Sequence, residues 1–116
     1  MLGEVFHLGP LAHEICRRFL LEFPDDRERY GDAALAWCAH DNQWILGWAA
    51  EDLEVGGTHF ADNVSWLARV LNARDYPTER LVRDLELAAE VVGSETEAHR
   101  ELADKLRQGA DPLRRR

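Results

Sequence analysis

The chain has 116 residues, which is the size of one domain with a single hydrophobic core. Its apolar share of 46% and its charged share of 31% are those of a folded protein and exclude extensive disorder. The net charge of −8 excludes a generic nucleic-acid binder, because binding to a phosphate backbone requires clustered Lys and Arg. We therefore expect one acidic, globular domain with no nucleic-acid partner.

Hydrophobic residues recur at helical spacing along almost the whole chain, and the alternation typical of half-buried strands is absent. This pattern predicts an all-α fold, a bundle of about five mostly antiparallel helices. The predicted helices cover 10–22, 25–56 with a candidate break at Gly31, 58–74, 77–93 and the region from 94 onward. We expect residues 1–109 to form the domain and residues 110–116, which end in three arginines, to form a flexible basic tail.

The two cysteines, Cys16 and Cys38, lie 22 positions apart and form no Cys-x-x-Cys motif. We expect both to be small, buried hydrophobes with reduced thiols. The amino terminus lacks the basic start and long apolar run of a signal peptide, and the sequence has no uncharged apolar span of membrane length. These features predict a cytoplasmic protein without a membrane partner.

Three of the four tryptophans lie close together in the segment "AWCAHDNQWILGW". At 100° per residue, Trp37, Trp44 and Trp48 fall within roughly 20° of one line along a helix. Two interpretations fit this aromatic stripe: it packs into the core as part of a central helix, or it forms a wall of a ligand pocket. His40 lies at the edge of the same arc, where it is either an ordinary boundary residue or a haem ligand.

Asp41 falls inside the aromatic stripe, four residues after Trp37. A carboxylate among indoles is unfavourable unless it is paired or solvated. An arginine from a neighbouring helix, with Arg69 and Arg74 as candidates, would make Asp41 part of a structural ion pair. Solvent or a ligand beside it would instead make it part of a pocket wall.

The sequence offers little support for catalysis or metal binding. No two of the five histidines stand three or four residues apart, and no zinc cluster, nucleophile elbow or phosphate-binding loop is present. We therefore predict a non-enzymatic protein without a metal or resident cofactor. A small enzyme that uses Asp41 with a histidine remains a weaker alternative.

Residues 30–92 contain a series of features in a fixed order: a C-x-x-D helix at Cys38 and Asp41, a glycine turn, a helix with Phe60 and Trp66, an R-x-x-P joint at Arg74 and a Leu-rich helix. The positions that carry this pattern are Cys38, Asp41, Phe60, Asp62 or Asn63, Val64, Trp66, Leu67, Leu71, Arg74, Pro77, Leu81, Leu85 and Leu87. The order resembles a helical module of bacterial cobalamin-binding sensor and regulator proteins. The resemblance implies a bacterial sensory or interaction module, here without the separate α/β cobalamin domain and its Asp-x-His-x-x-Gly motif.

Together these observations predict a sensory or regulatory protein-interaction module that signals by helix repacking and binds a protein partner or forms a homodimer. The alternative is a protein that holds a planar cofactor of the tetrapyrrole type against the stripe. In both cases the candidate ligand-binding residues are Trp37, His40, Asp41, Trp44 and Trp48.

Overall fold

In the computed structural model, which describes residues 8–57 and 59–114, the chain folds into six α-helices and forms no strand within those ranges. The helices are α1 (Leu8–Glu22), α2 (Pro24–Tyr30), α3 (Ala33–Val55), α4 (His59–Ala73), α5 (Thr78–Val92) and α6 (Glu97–Arg114). The all-α prediction is confirmed. The expected count of about five becomes six within the described part of the chain, because a break separates α2 from α3.

Glycines and prolines lie at the helix ends, close to the positions that the sequence predicts. Pro24 begins α2, where its missing N–H costs nothing, and Gly31 ends that helix with a φ of 67°. Gly56 and Gly93 end α3 and α5, also with positive φ, and their backbone N–H groups donate to carbonyls four residues earlier.

The start of α4 depends on a residue that the sequence did not single out. Thr58, the predicted N-cap, lies outside the described residues. The buried carboxylate of Asp52 accepts a hydrogen bond from the backbone N–H of Phe60 at 2.5 Å, and Lys105 Nζ on α6 lies 3.9 Å from the same oxygen. Asp52 therefore satisfies a free N–H of α4 and links α3, α4 and α6.

One core cluster joins all helices except the short α2. Its largest fully buried apolar side chains are Ile15, Ile45, Leu46, Phe60, Val64, Leu85, Leu102 and Leu106. The helix α3 lies centrally and packs against α1, α2, α4 and α6. Helices α5 and α6 run antiparallel, since Arg114 bonds to Glu86 within α5 while Arg100 bonds to the Ser94 carbonyl after its end.

The last helix is longer than predicted and includes part of the expected tail. Residues 110–114 continue α6 to Arg114, and Leu113 is 3% exposed. Burial of Leu106, Ala110 and Leu113 extends the apolar stripe, which offsets the backbone hydrogen bond that Pro112 cannot donate. A flexible tail beginning at residue 110 is therefore wrong for these positions, and residues 115–116 lie outside the described ranges.

The prediction of reduced thiols is also wrong. Cys16 on α1 and Cys38 on α3 form a disulfide, with their Cα atoms 5.8 Å apart. The two helices pack directly against each other, and this brings residues 22 positions apart in sequence to bridging distance. Among the described residues, no helix is both long enough and apolar enough to cross a membrane.

Candidate functional site

A cavity of about 310 Å³ lies between α1, α2, α3, α4 and α5, beside the disulfide. Its apolar and aromatic walls consist of Phe19, Leu20, Tyr30, Ala34, Trp37, Cys38, Ile45, Leu67, Leu71 and Leu81. Its polar lining consists of Asp26, Arg29, Asp41, Asn42, Arg74, Tyr76, Arg80 and Asp84. A mainly apolar cavity with a few convergent polar groups is typical of a small-molecule site, and this one is near the lower end of the usual range of roughly 300–1,000 Å³.

A charged network connects α2 to α5 on one side of the cavity. The carboxylate of Asp26 accepts hydrogen bonds from the Tyr76 hydroxyl at 2.5 Å and from Arg80 at 2.6 Å. Arg80 also donates to Asp25 at 2.7 Å and lies over the Phe23 ring. Burial, with the hydrogen bond to Asp26 as the second cause, raises the pKa of Tyr76 well above its ordinary value. The phenol therefore stays a hydrogen-bond donor.

A second polar group lies deeper, between α3 and α5. Asn42 is 2% exposed, and its Nδ2 donates to Asp84 Oδ1 and to the Cys38 carbonyl, each at 3.0 Å. The same nitrogen lies 3.3 Å from Cys16 Sγ and 3.5 Å from Cys38 Sγ. Asn42 therefore connects the disulfide to a buried carboxyl group.

Asp84 is 6% exposed, and its acid group titrates far from its usual range. Burial raises the pKa of this carboxyl to about 7, the Asn42 hydrogen bond opposes the rise, and the nearby charge of Asp41 adds to it. Partial burial also raises the pKa of Asp41. Two carboxyl groups whose charged forms are disfavoured thus line the same cavity, which is a frequent property of binding sites.

The aromatic stripe does not pack in the core, so that interpretation is wrong for two of its three residues. Trp37 is 62% exposed and Trp44 is 56% exposed, whereas Trp48 is half-buried against the core. The buried residues of α3 are Ala34, Asn42, Ile45, Leu46, Ala49 and Asp52. At 100° per residue, this face is centred roughly 100° from the Trp37 line. The small residues Ala34 and Ala49 let neighbouring helices approach α3 closely, and the bulky indoles lie to the side.

Only two of the five predicted ligand-binding residues lie on the cavity wall. Trp37 and Asp41 line the cavity, while His40, Trp44 and Trp48 are not among its lining residues. The latter three form a separate aromatic row: Trp44 and Trp48 have ring centroids 6.2 Å apart, and Trp44 Nε1 donates to His40 Nε2 at 3.4 Å. The exposed ring of Trp37 instead packs against Tyr30 at the end of α2, with centroids 5.7 Å apart.

The predicted arginine partner of Asp41 is not within ion-pairing distance among the described residues. Asp41 Oδ1 lies 3.8 Å from His40 Nδ1, and its side chain is 52% exposed. Arg74 lines the same cavity and acts on Asp41 only through its charge, and Arg69 is exposed on α4. Of the two alternatives for Asp41, the geometry matches the pocket wall.

Sequence reasoning missed the most buried polar residues of the site. Asn42 follows directly after Asp41, and Asp84 lies within a Leu-rich stretch between Leu81 and Leu85. A carboxylate on the apolar face of a helix, three residues after Leu81, was the available signal. Its significance depends on Asn42, which is 42 positions away in sequence.

No group of three or more His, Cys, Asp or Glu side chains in residues 8–57 and 59–114 is arranged to hold a metal ion. Comparison of the chain with protein-family models, curated proteins and solved structures finds no match. The site's own chemistry is that of a partly open, mainly apolar cavity with three acidic and three basic side chains in its lining.

Proposed function

We propose that this chain is a non-enzymatic, helical sensory module that binds a small organic molecule in the cavity and signals by a change in helix packing. The observation that carries the proposal is that five helices contribute residues to one cavity, from Leu20 of α1 to Asp84 of α5. A ligand there would contact several elements at once. Its binding would favour one relative arrangement of those helices over others.

The short helix α2 is the element best placed to respond. Only Tyr30 of this helix packs against the shared core, and Asp26 holds the helix through its contacts with Tyr76 and Arg80, all three of which line the cavity. A ligand that displaces any of these side chains would loosen or reposition α2. Such a movement would be transmitted to the surface through Tyr30 and the exposed ring of Trp37.

We further propose that a protein partner or a second copy of the chain receives the signal. Within residues 8–57 and 59–114, five large apolar side chains are exposed: Leu21, Trp37, Trp44, Val55 and Trp66. Tryptophan is enriched at protein interfaces, because its large apolar surface carries a polar N–H. A cytoplasmic location remains a prediction, and the disulfide weighs against it because such bonds are rare in reducing compartments.

The tetrapyrrole alternative has less support than a small ligand. Three of its candidate contacts, His40, Trp44 and Trp48, lie outside the cavity, and the cavity volume is at the low end for ligand sites. Absorption spectra after incubation with haem, cobalamin or bilin test this alternative directly. A protein-dependent shift of the pigment band would favour it over the small-ligand proposal.

Ligand-observed NMR with a library of small organic molecules tests the main proposal, with Trp37→Ala and Trp66→Ala as matched variants. Both tryptophans are more than half exposed, but only Trp37 lines the cavity. We expect binders whose signals weaken in Trp37→Ala and persist in Trp66→Ala. Binders that respond equally to both substitutions, or a library that yields none, would contradict the proposal. Light scattering after chromatography, with and without a binder, tests whether the chain self-associates.

A further inference from the structure

The chemical class of the ligand follows from two buried hydrogen-bond acceptors that belong to residues of the cavity wall. Asp84 Oδ2 and Asn42 Oδ1 are both buried, and no protein group in the described ranges donates a hydrogen bond to either. Both residues line the cavity. Buried polar atoms in folded proteins nearly always have a partner, so these two unpaired acceptors indicate a hydrogen-bond donor from outside the protein, either an ordered water or a ligand.

The orientation of the Asn42 side chain is determined by its surroundings. Its Nδ2 faces the Asp84 carboxyl, the Cys38 carbonyl and both sulfurs of the disulfide, all of which are acceptors. A flipped amide would place its oxygen against these acceptors. The oxygen of Asn42 is therefore directed away from the disulfide and from the Asp84 oxygen that Nδ2 contacts, and it remains an acceptor without a protein donor.

Three acidic and three basic side chains line the cavity: Asp26, Asp41 and Asp84, and Arg29, Arg74 and Arg80. Asp41 and Asp84 are close enough that the charge of one disfavours the charge of the other. Arg80 is paired with Asp25 and Asp26, and Arg74 offsets only part of the negative charge at Asp41, whose pKa is still raised. A cation bound beside Asp41 and Asp84 would relieve the repulsion between their carboxylates, whereas an anion there would increase it.

The aromatic walls also favour a cation with an apolar body. Tyr30 and Trp37 line the cavity together, and an Arg29 guanidinium already lies 5.2 Å from the Tyr30 ring centroid. Aromatic faces attract ammonium groups as well as guanidinium groups. The remaining lining, with Phe19, Leu67 and Leu71, offers apolar surface for the rest of the molecule.

We propose that the cavity binds a small primary amine in its protonated form, with the ammonium group donating to Asp84 Oδ2 and Asn42 Oδ1 and the apolar body against the aromatic wall. This inference rests on the proposed function, because it names the ligand class of the same cavity. An ammonium group has three donors, so it can satisfy both acceptors and still face Asp41.

Three probes of similar shape separate the contributions: 2-phenylethylamine, 2-phenylethanol and 3-phenylpropionate. Dissociation constants are measured by NMR titration with the wild-type chain and with Asp84→Asn, which keeps the shape and the acceptor for Asn42 Nδ2. Asp104→Asn on the exposed side of α6 is the matched control. Circular dichroism establishes that all three proteins are equally helical.

We expect the amine to bind the wild type at least about tenfold more tightly than the alcohol, as a charge-assisted hydrogen bond predicts. Asp84→Asn should remove that preference, while Asp104→Asn should retain it. Equal binding of amine and alcohol to the wild type, or an unchanged preference in Asp84→Asn, would overturn the amine inference and leave the cavity as a ligand site. If no probe binds and the wider library also yields no Trp37-dependent binder, the proposed function falls as well.

Discussion

Replacement of Asp84 by Asn should make the protein more stable at neutral and alkaline pH and leave it almost unchanged in acid. The pKa of the Asp84 carboxyl is about 7 in the folded state and about 3.8 in an unperturbed chain. Below pH 4 the group is protonated in both states and contributes little. As the pH rises from 4 to 7, the unfolded chain releases this proton first, so the folded state loses stability.

The magnitude follows from the difference between these two pKa values. At about 1.4 kcal/mol per pH unit, a difference of roughly three units corresponds to a penalty of about 4 kcal/mol above pH 7. Asparagine carries no charge and can still accept the hydrogen bond from Asn42 Nδ2. The variant should therefore gain up to about 4 kcal/mol at pH 8 relative to the wild type.

Urea unfolding followed by circular dichroism at pH 4 and pH 8 measures this difference, with the m-value as a check that the unfolding transition itself is unchanged. Asp104→Asn is the control, because its exposed salt bridge with Arg107 is worth less than about 1 kcal/mol. A variant that is no more stable at pH 8, or that gains the same amount at both pH values, would refute the assignment of Asp84 as a buried, destabilising acid.

Three further changes test the contacts that hold the helices together. Gly109→Ala should lower the free energy of unfolding by about 1–3 kcal/mol, because the added Cβ would overlap the Phe60 ring and this outweighs the higher helix propensity of alanine. Gln108→Ala, on the exposed side of the helix, should be nearly neutral in the same urea titration. Tyr76→Phe should cost about 1.5–3 kcal/mol, because the Asp26 carboxylate loses a charge-assisted donor, and an unchanged melting temperature would argue against this contact. Reduction of the disulfide should cost about 3 kcal/mol, as expected for the loop it closes, and thiol titration of the native protein without reductant should find no free cysteine.

Local sequence was sufficient to predict the helices. The break at Gly31 and the ends at Gly56 and Gly93 lie where they were predicted, and α2 begins at Pro24, one residue before the predicted start; these boundaries depend on backbone conformations that neighbouring residues determine. The end of α6 was predicted too early, because residues 110–116 were expected to form a flexible tail. Gly109 admits the Phe60 ring, a contact between residues 49 positions apart that no local pattern contains.

The candidate site was predicted only in part, for a related reason. Helical periodicity placed Trp37 and Asp41 on one side of α3, and both line the cavity. About half of the circumference of α3 carries apolar residues. Periodicity alone therefore cannot determine which part of that surface faces the neighbouring helices. That choice depends on the close approach of α1 at the disulfide and of the other helices at Ala34 and Ala49.

The sequence by itself determined an acidic, all-helical chain and most helix boundaries, because propensity, capping and periodicity act within a few residues. Only the tertiary structure decided that Cys16 bonds to Cys38, that the tryptophans lie mostly outside the core, and that Asn42 meets Asp84 beside a cavity. Each of these results depends on which side of one helix faces another. That orientation is set by the packing of side chains distant in sequence, and the chemistry of the site follows from it.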